Sequence, residues 1–208
     1  MYSNLNLSKY EKLLKSVGSL SKIYSTSDVP LVHSRFIEKL FIEASLNEVV
    51  DLTRSDVSFD CIENKNKGVG IKTFTSPKSS SNEKIAEFNN VSHSFEGLDE
   101  QQLSIAVSEA RNNRIISDAS ELGVDVSKSY YHCLVRQSGN ALIHEEPLEL
   151  IDVKNLKLLK NKRNKYPFFT DGKSEYSFNP TKSTLFKKFD ISKFFSSDKI
   201  EIPMIAED

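Results

Sequence analysis

A carboxylate at Asp60 and an amine at Lys72 stand with eleven residues between them, in a stretch whose apolar residues recur with period two. Val57, Phe59 and Cys61 alternate with Ser58, Asp60 and Ile62. After the polar run from Glu63 to Gly68, Val69, Ile71 and Thr73 alternate with Gly70, Lys72 and Phe74. The pattern predicts a β-hairpin over residues 57–74. With its loop centred on Asn66, Asp60 lies opposite Lys72, Cys61 opposite Ile71 and Phe59 opposite Thr73. Val57, Phe59, Cys61, Val69 and Ile71 then share an apolar face, and Asp60, Gly70 and Lys72 the other. A one-residue slip would mix the two faces, so the pattern argues for this register. A carboxylate and an amine fixed side by side suit phosphodiester hydrolysis. Carboxylates hold Mg²⁺, which accepts phosphate oxygens and activates water. A neighbouring lysine orients that water or stabilises developing charge. The same residues also describe an ordinary cross-strand pair contributing about 0.2–1 kcal/mol. Asp56 shares the strand face of Asp60 but lies further from Lys72.

The elements that must hold this pair are readable on either side. Leu7, Tyr10, Leu13, Leu14 and Val17 recur at helical spacing and predict a helix over 7–24. Asp28 is placed as an N-cap and Pro30 near the first turn of a second helix, Leu31 to Leu46. Phe36, Ile37, Leu40 and Ala44 lie on its buried side, with Glu43 close to that side. Residues 75–82 read as a loop and Glu83 to Asn90 as a short helix. Asp99 to Leu122 is a long helix stopped by Gly123. Tyr130–Val135 and Ala141–His144 pair around a Ser138-Gly139 turn. Phe168 to Phe178 is a hairpin split by Asp171-Gly172. Thr181 to Phe195 reads as a closing helix. Helices alternating with hairpins define a mixed α/β (α+β) chain, a central mixed sheet flanked by helices.

Asp60, the gap, and then Gly70-Ile71-Lys72 on a second strand resemble the nuclease motif of the PD-(D/E)xK restriction-endonuclease-like superfamily. In that fold a helix precedes a hairpin carrying Asp and then (Asp/Glu)-x-Lys. Arg35-Phe36-Ile37-Glu38 resembles the first helix of many members, where a Glu points into the site. The resemblance covers residues 30–90; beyond them only the order of elements follows. It implies a restriction-endonuclease-like core and a Mg²⁺-dependent endonuclease of restriction type cutting double-stranded DNA. Asp60 would be the central metal ligand, with the Ile71 carbonyl a further one, and Lys72 would position the water or stabilise charge. One position departs from the pattern: Gly70 stands where Asp or Glu is required. The missing carboxylate must then come from Glu38 or Glu43 on the preceding helix, or from Glu83 or Glu87 after the hairpin. Glu38 is the first choice and Glu83 the reserve. Cutting both strands of a palindrome favours a two-fold homodimer. The departure at Gly70 also motivates a reading from another class, a DNA-binding or assembly module without catalysis.

The charge distribution bears on both readings. The formal net charge is −1. Residues 1–150 hold 16 basic and 21 acidic side chains, whereas 154–193 hold 11 basic and 3 acidic. A polyanion needs only a local positive face, although a charge run is also an ordinary solvated surface. Arg163, Lys165, Lys173, Lys182, Lys187 and Lys188 are the candidate phosphate contacts in this part. Arg111 and Arg114, one turn apart on the long helix, fit either a phosphate clamp or helix salt bridges. The chain therefore reads as a nuclease-like core, residues 1–153, with a basic, aromatic-rich extension, 154–208, packed on that core, or as one single domain. The four His residues show no HNH or HExxH spacing, and the His144-Glu145-Glu146 run reads as a polar strand end. No Gly-rich phosphate loop exists among the 7 Gly. Two distant cysteines exclude a disulfide scaffold and a zinc ribbon. No run of apolar residues reaches membrane-spanning length, and Lys interrupts the N-terminal apolar stretches, so a cytoplasmic protein is expected. The final EIPMIAED carries no stop logic, and a fragment of a longer chain is a third reading.

Overall fold

A computed structural model describes residues 5–75, 80–160, 166–193 and 198–205. In chain order the helices and strands are α1 (Leu7–Gly18), α2 (Ser34–Ala44), β1 (Val49–Asp51), β2 (Cys61–Glu63), β3 (Lys67–Thr75), β4 (Ser80–Glu87), α3 (Glu100–Leu122), β5 (Tyr130–Gln137), β6 (Asn140–Pro147), β7 (Lys157–Leu158), β8 (Phe168–Thr170), β9 (Glu175–Asn179), β10 (Thr184–Asp190) and β11 (Asp198–Glu201). The architecture is mixed α/β, as the sequence predicts. Among the described residues no helix is long and apolar enough to cross a membrane.

The chain divides into two compact units, each assembled from separate segments. The first comprises residues 1–79, 118–149 and 191–208; the second comprises 80–117 and 150–190. The sequence places one boundary, between 153 and 154. The structure has a cut close to it, at 149/150, two earlier ones, and a final segment that returns to the first unit.

The first unit is built on a six-stranded sheet of order β1-β2-β3-β5-β6-β11. Its pairs are antiparallel except β3 with β5, where Gly70 faces Tyr131 and Lys72 faces Cys133. A parallel pair needs a long connection, supplied here by the chain between Thr75 and Tyr130. α1 and α2 supply the helical side of a core. Ile37, Leu40, Phe41 and Ala44 recur at helical spacing on α2 and are buried with Tyr10, Leu14, Cys61, Val69, Ile71 and Leu134. Burying a side chain such as Phe41 fully contributes about 1.5–3 kcal/mol. α2 begins at Ser34 with His33 as cap, its Nδ1 accepting from the Arg35 N–H at 3.2 Å. Asp28 is not the cap; its carboxylate pairs with Lys22 at 2.7 Å. Glu43 points outward and pairs with Lys9 at 3.3 Å. The predicted 7–24 helix ends at Gly18 and tightens into a 3₁₀ turn, Ser19–Ile23.

Two ionisable groups buried in this core, Glu63 and His132, are paired. Glu63, fully buried, accepts from the Tyr130 hydroxyl at 3.1 Å, Asn47 Nδ2 at 3.0 Å and Ser45 Oγ at 3.3 Å. His132 lies between the Tyr10 hydroxyl and the Glu145 carboxylate, 3.1 Å from each. Glu145 thus serves the interior of the sheet.

The second unit has an antiparallel sheet of order β4-β10-β9-β8-β7. Leu103 and Val107 of α3 share its core with Phe88, Phe169, Tyr176, Phe178 and Leu185. The Asp171-Gly172 turn forms as predicted: Asp171 accepts from the N–H groups of Lys173 at 3.0 Å and Ser174 at 2.8 Å. Two helices predicted from the sequence are strands. Residues 83–90 belong largely to β4, and 184–190 form β10. In β10, Leu185, Lys187 and Phe189 are buried in alternation, the period of a strand. β4 and β10 pair with each other, Glu83 facing Lys187. That pairing joins segments about a hundred residues apart, and it outweighs their local helical spacing. Of the rest of the predicted closing helix, Pro180–Lys182 and Ile191–Lys193 are 3₁₀ turns, and 194 and 195 lie outside the described residues.

Candidate active site

Asp60 is held by its backbone before its side chain does anything. Its N–H donates to the Val69 carbonyl at 2.9 Å, and its carbonyl accepts from the Leu52 N–H at 3.0 Å. These bonds lock it between β1 and β3, at the mouth of β2. The residue two before it is anchored as well. Ser58 donates from its backbone N–H at 2.7 Å and its hydroxyl at 2.5 Å to the Asp118 carboxylate.

The hairpin register differs from the expected one by two residues. Cys61 faces Val69 and Glu63 faces Lys67, closing a three-residue loop, Asn64–Asn66. Asn64 and Lys65 carry positive φ values of 50° and 68°, which let the chain reverse sooner. A shift of two preserves the shared face of Cys61, Val69 and Ile71 while moving Asp60 beside Gly70. Asp60 therefore does not form the expected ion pair with Lys72. Its Oδ2 accepts from the Ile71 N–H at 2.6 Å, capping an edge that β2 is too short to cover. The Ile71 side chain is in the core, and the alternation of the strand puts its carbonyl on the same edge as its N–H.

Gly70 has a steric cause. A Cβ at this position would lie 2.9 Å from Cδ1 and Cε1 of the Tyr131 ring. Tyr131 is its partner on β5 and is 4% exposed, so the ring occupies the space an Asp or Glu would need. The same ring carries Lys72, whose Nζ sits 5.9 Å from the centroid. That cation–π contact is worth about 0.5–1 kcal/mol at a partly exposed site.

Glu38, from the middle of α2, completes the group. Its carboxyl pKa is raised, first by desolvation and then by the Asp60 charge; Lys72, Arg35 and His33 oppose the shift. The two carboxylates and the lysine singled out from the sequence thus lie within electrostatic reach of one another. A cleft of about 780 Å³ opens beside Glu38, lined also by Arg35 and Lys39 of α2 and by Thr53, Arg54, Ser55 and Asp56 between β1 and β2. Lys39 pairs with Asp51. That pair, with donation from Thr53, holds the Asp51 carboxyl down at about 2.

Because the native state binds the Glu38 proton more tightly than the unfolded chain, stability falls as pH rises through the raised pKa. In metal-free buffer, Glu38→Gln is expected to raise the melting temperature at pH 7 and to confer no gain at pH 4. Thermal melts of both proteins at the two pH values check this; an equal effect at both would remove the electrostatic cause.

The other predicted residues are placed differently. Glu83 lies on β4 in the second unit and accepts from Ser81 Oγ at 2.5 Å. Glu87, beside Lys84, is on the same strand. Among the described residues no group of three His, Cys, Asp or Glu side chains is arranged to hold a metal ion. The protein side of a metal site would therefore be Asp60 and Glu38 with the Ile71 carbonyl, leaving the remaining positions to substrate and water.

Of the phosphate contacts expected in the second half, Lys173 and Lys182 are exposed, and Arg114 is half-buried. Lys188 pairs with Glu175 at 2.9 Å. Arg111 is 2% exposed, and Lys187 is 9% exposed with its Nζ 5.0 Å from the Phe189 centroid. A cation desolvated in a core does not meet a phosphate, so these two are corrected from surface contacts to interior groups. Arg163 and Lys165 lie outside the described residues. Three participants escape a reading of the sequence. Asp118 shows no signal beyond a polar helix position, and Arg54 none beyond a turn. Tyr131 had one: a glycine inside a strand marks the close approach of a neighbouring group.

No family model, no curated protein and no solved structure matches this chain.

Proposed function

We propose that the chain is a Mg²⁺-dependent endonuclease of restriction type, hydrolysing phosphodiester bonds in double-stranded DNA and acting as a cytoplasmic homodimer. The observation that carries the reading is that Glu38 of α2, Asp60 immediately before β2 and Lys72 of β3 lie within electrostatic reach of one another, with Glu38 lining an open cleft. The order helix, hairpin, long helix, strand adds support. Two carboxylates whose charges oppose each other fit a divalent cation. Mg²⁺ bound there supplies charge stabilisation and a more acidic water. Asp60 and Glu38 would hold it, and Lys72 would place its ammonium against the charge that develops on the phosphate. Fixing the lysine over Tyr131 limits the reorganisation this requires.

A second reading has its own observation. The Tyr131 ring excludes the motif's second acid, and a site lacking it can bind nucleic acid without cutting. Supercoiled plasmid incubated with the full chain and Mg²⁺ separates the two. Nicked or linear product is expected from wild type and is expected to fall at least roughly 10²-fold in Lys72→Ala, a variant whose melting temperature stays close to wild type. Absence of cutting with Mg²⁺ and Mn²⁺, on duplex and on single strands, would favour the binding module, as would equal cutting by the variant.

A further inference from the structure

The cleft beside Glu38 contains two arginines that form no salt bridge among the described residues; the Glu38 carboxylate is within electrostatic reach of Arg35, and Asp56 lines the same cavity. Arg35 projects from the first turn of α2 and Arg54 from the turn between β1 and β2, and both line the same cavity. Lys39, a third cation there, is paired with Asp51. Among the described residues, neither Arg35 nor Arg54 makes an ion pair or a side-chain hydrogen bond. The turn carrying Arg54 is tied down on both sides. Asp51 Oδ1 accepts from the Thr53 N–H at 3.0 Å and hydroxyl at 2.7 Å, and the Ser55 N–H donates to the Leu52 carbonyl at 2.8 Å.

We propose that Arg35 and Arg54 are the phosphate-gripping subsite of this cleft and take the phosphodiester backbone of a nucleic-acid strand on its way to Asp60 and Lys72. A guanidinium presents a planar fork of donors matched to phosphate oxygens, and two forks converging from different elements fix a strand's direction as well as its charge. The cleft, at about 780 Å³, has room for a stretch of chain as well as a lone anion. This places a grip in the unit that holds the carboxylates; of the second unit's candidate contacts, Arg111 and Lys187 are buried and Lys188 is paired with Glu175, while Lys173 and Lys182 are exposed. The inference rests on the nuclease reading for its substrate class, although binding does not require cutting.

The test uses the full chain, a fluorescein-labelled duplex of about twenty base pairs, EDTA to prevent cleavage, and anisotropy titrations over a range of salt. For Arg35→Ala with Arg54→Ala, the expected result is at least tenfold weaker binding. The slope of log K against log salt should become shallower by about 2, the release expected for two phosphate contacts. Arg35→Lys with Arg54→Lys should restore the slope and only part of the affinity, because point charges replace forks. Inorganic phosphate should compete weakly. Matched melting temperatures confirm that the exposed substitutions leave the fold intact. The subsite is overturned if the double Ala variant keeps the wild-type affinity and slope, if wild type binds no duplex, or if phosphate displaces the duplex at equimolar levels. The two readings fail separately. Salt-sensitive binding that needs both arginines, without cutting, ends the nuclease and keeps the subsite; cutting that needs Lys72 but not the arginines does the reverse.

Discussion

Gly70→Asp, the substitution that would write the full nuclease motif into this chain, is expected to destabilise the fold by about 2–4 kcal/mol. The new Cβ alone would come within 2.9 Å of two carbons of the Tyr131 ring. That ring is 4% exposed and cannot swing into solvent without leaving a hole in the sheet's packing. Overpacking of this kind costs about 1–3 kcal/mol, and burying a carboxylate with no partner built for it costs at least as much again unless the group takes up a proton. Denaturant unfolding of wild type and variant measures the difference; an unchanged midpoint would show that the ring yields freely. Tyr131→Ala in the same background supplies a control. It opens the space, so it should be less harmful to Gly70→Asp than to wild type, and the double-mutant cycle should return a coupling above about 0.5 kcal/mol. Gly70 is therefore a consequence of how β3 and β5 pack, and on the nuclease reading the work of the acid it replaces would fall to Glu38 or to no residue.

The parts of this molecule legible in the sequence are those fixed by neighbours along the chain. α2 follows from Ile37, Leu40, Phe41 and Ala44, and the β8–β9 hairpin from Asp171-Gly172. The β5–β6 hairpin follows from Ser138-Gly139, where Gly139 adopts φ 69°. Of the expected apolar face of the site hairpin, Cys61, Val69 and Ile71 do share one core, because face membership survives an even shift, whereas Phe59 packs against Gly68 on the other side of the sheet. The hairpin's register was not legible, since two residues other than glycine at positive φ, Asn64 and Lys65, close the loop early. β4 and β10 were unreadable for a different reason. Each owes its extended form to the other, and neither Ser80–Glu87 nor Thr184–Asp190 announces a partner so far away. The charge asymmetry shrinks for the same reason. Counted along the chain it separates halves, but the chain interleaves: the first unit holds 15 basic and 19 acidic residues and the second 13 and 10. What remains is local and lies in the cleft.

Asp60→Asn and Asp60→Ala are expected to part company, and the separation tells what the residue is for. Asp60 has a structural duty that any acceptor can meet, taking the Ile71 N–H at the uncovered edge of β3. Alanine abandons that donor, with an expected loss of about 1–3 kcal/mol. Asparagine keeps an oxygen where it is needed and should hold the wild-type stability to within about 1 kcal/mol. On the nuclease reading its activity nevertheless falls at least roughly 10²-fold, because a neutral amide neither binds a divalent cation well nor balances Lys72. The second consequence is at Glu38. Removing the Asp60 charge takes away one cause of its raised pKa, so either variant should bring that carboxyl closer to its ordinary value. Plasmid cleavage, denaturant midpoints and the pH dependence of stability measured together on both variants give the answer. A stable Asp60→Asn that cuts like wild type reduces Asp60 to a cap for Ile71, and a catalytic carboxylate would then have to be sought elsewhere. A stable Asp60→Asn that is inactive assigns the charge of Asp60 to chemistry, since its hydrogen bond will have been kept.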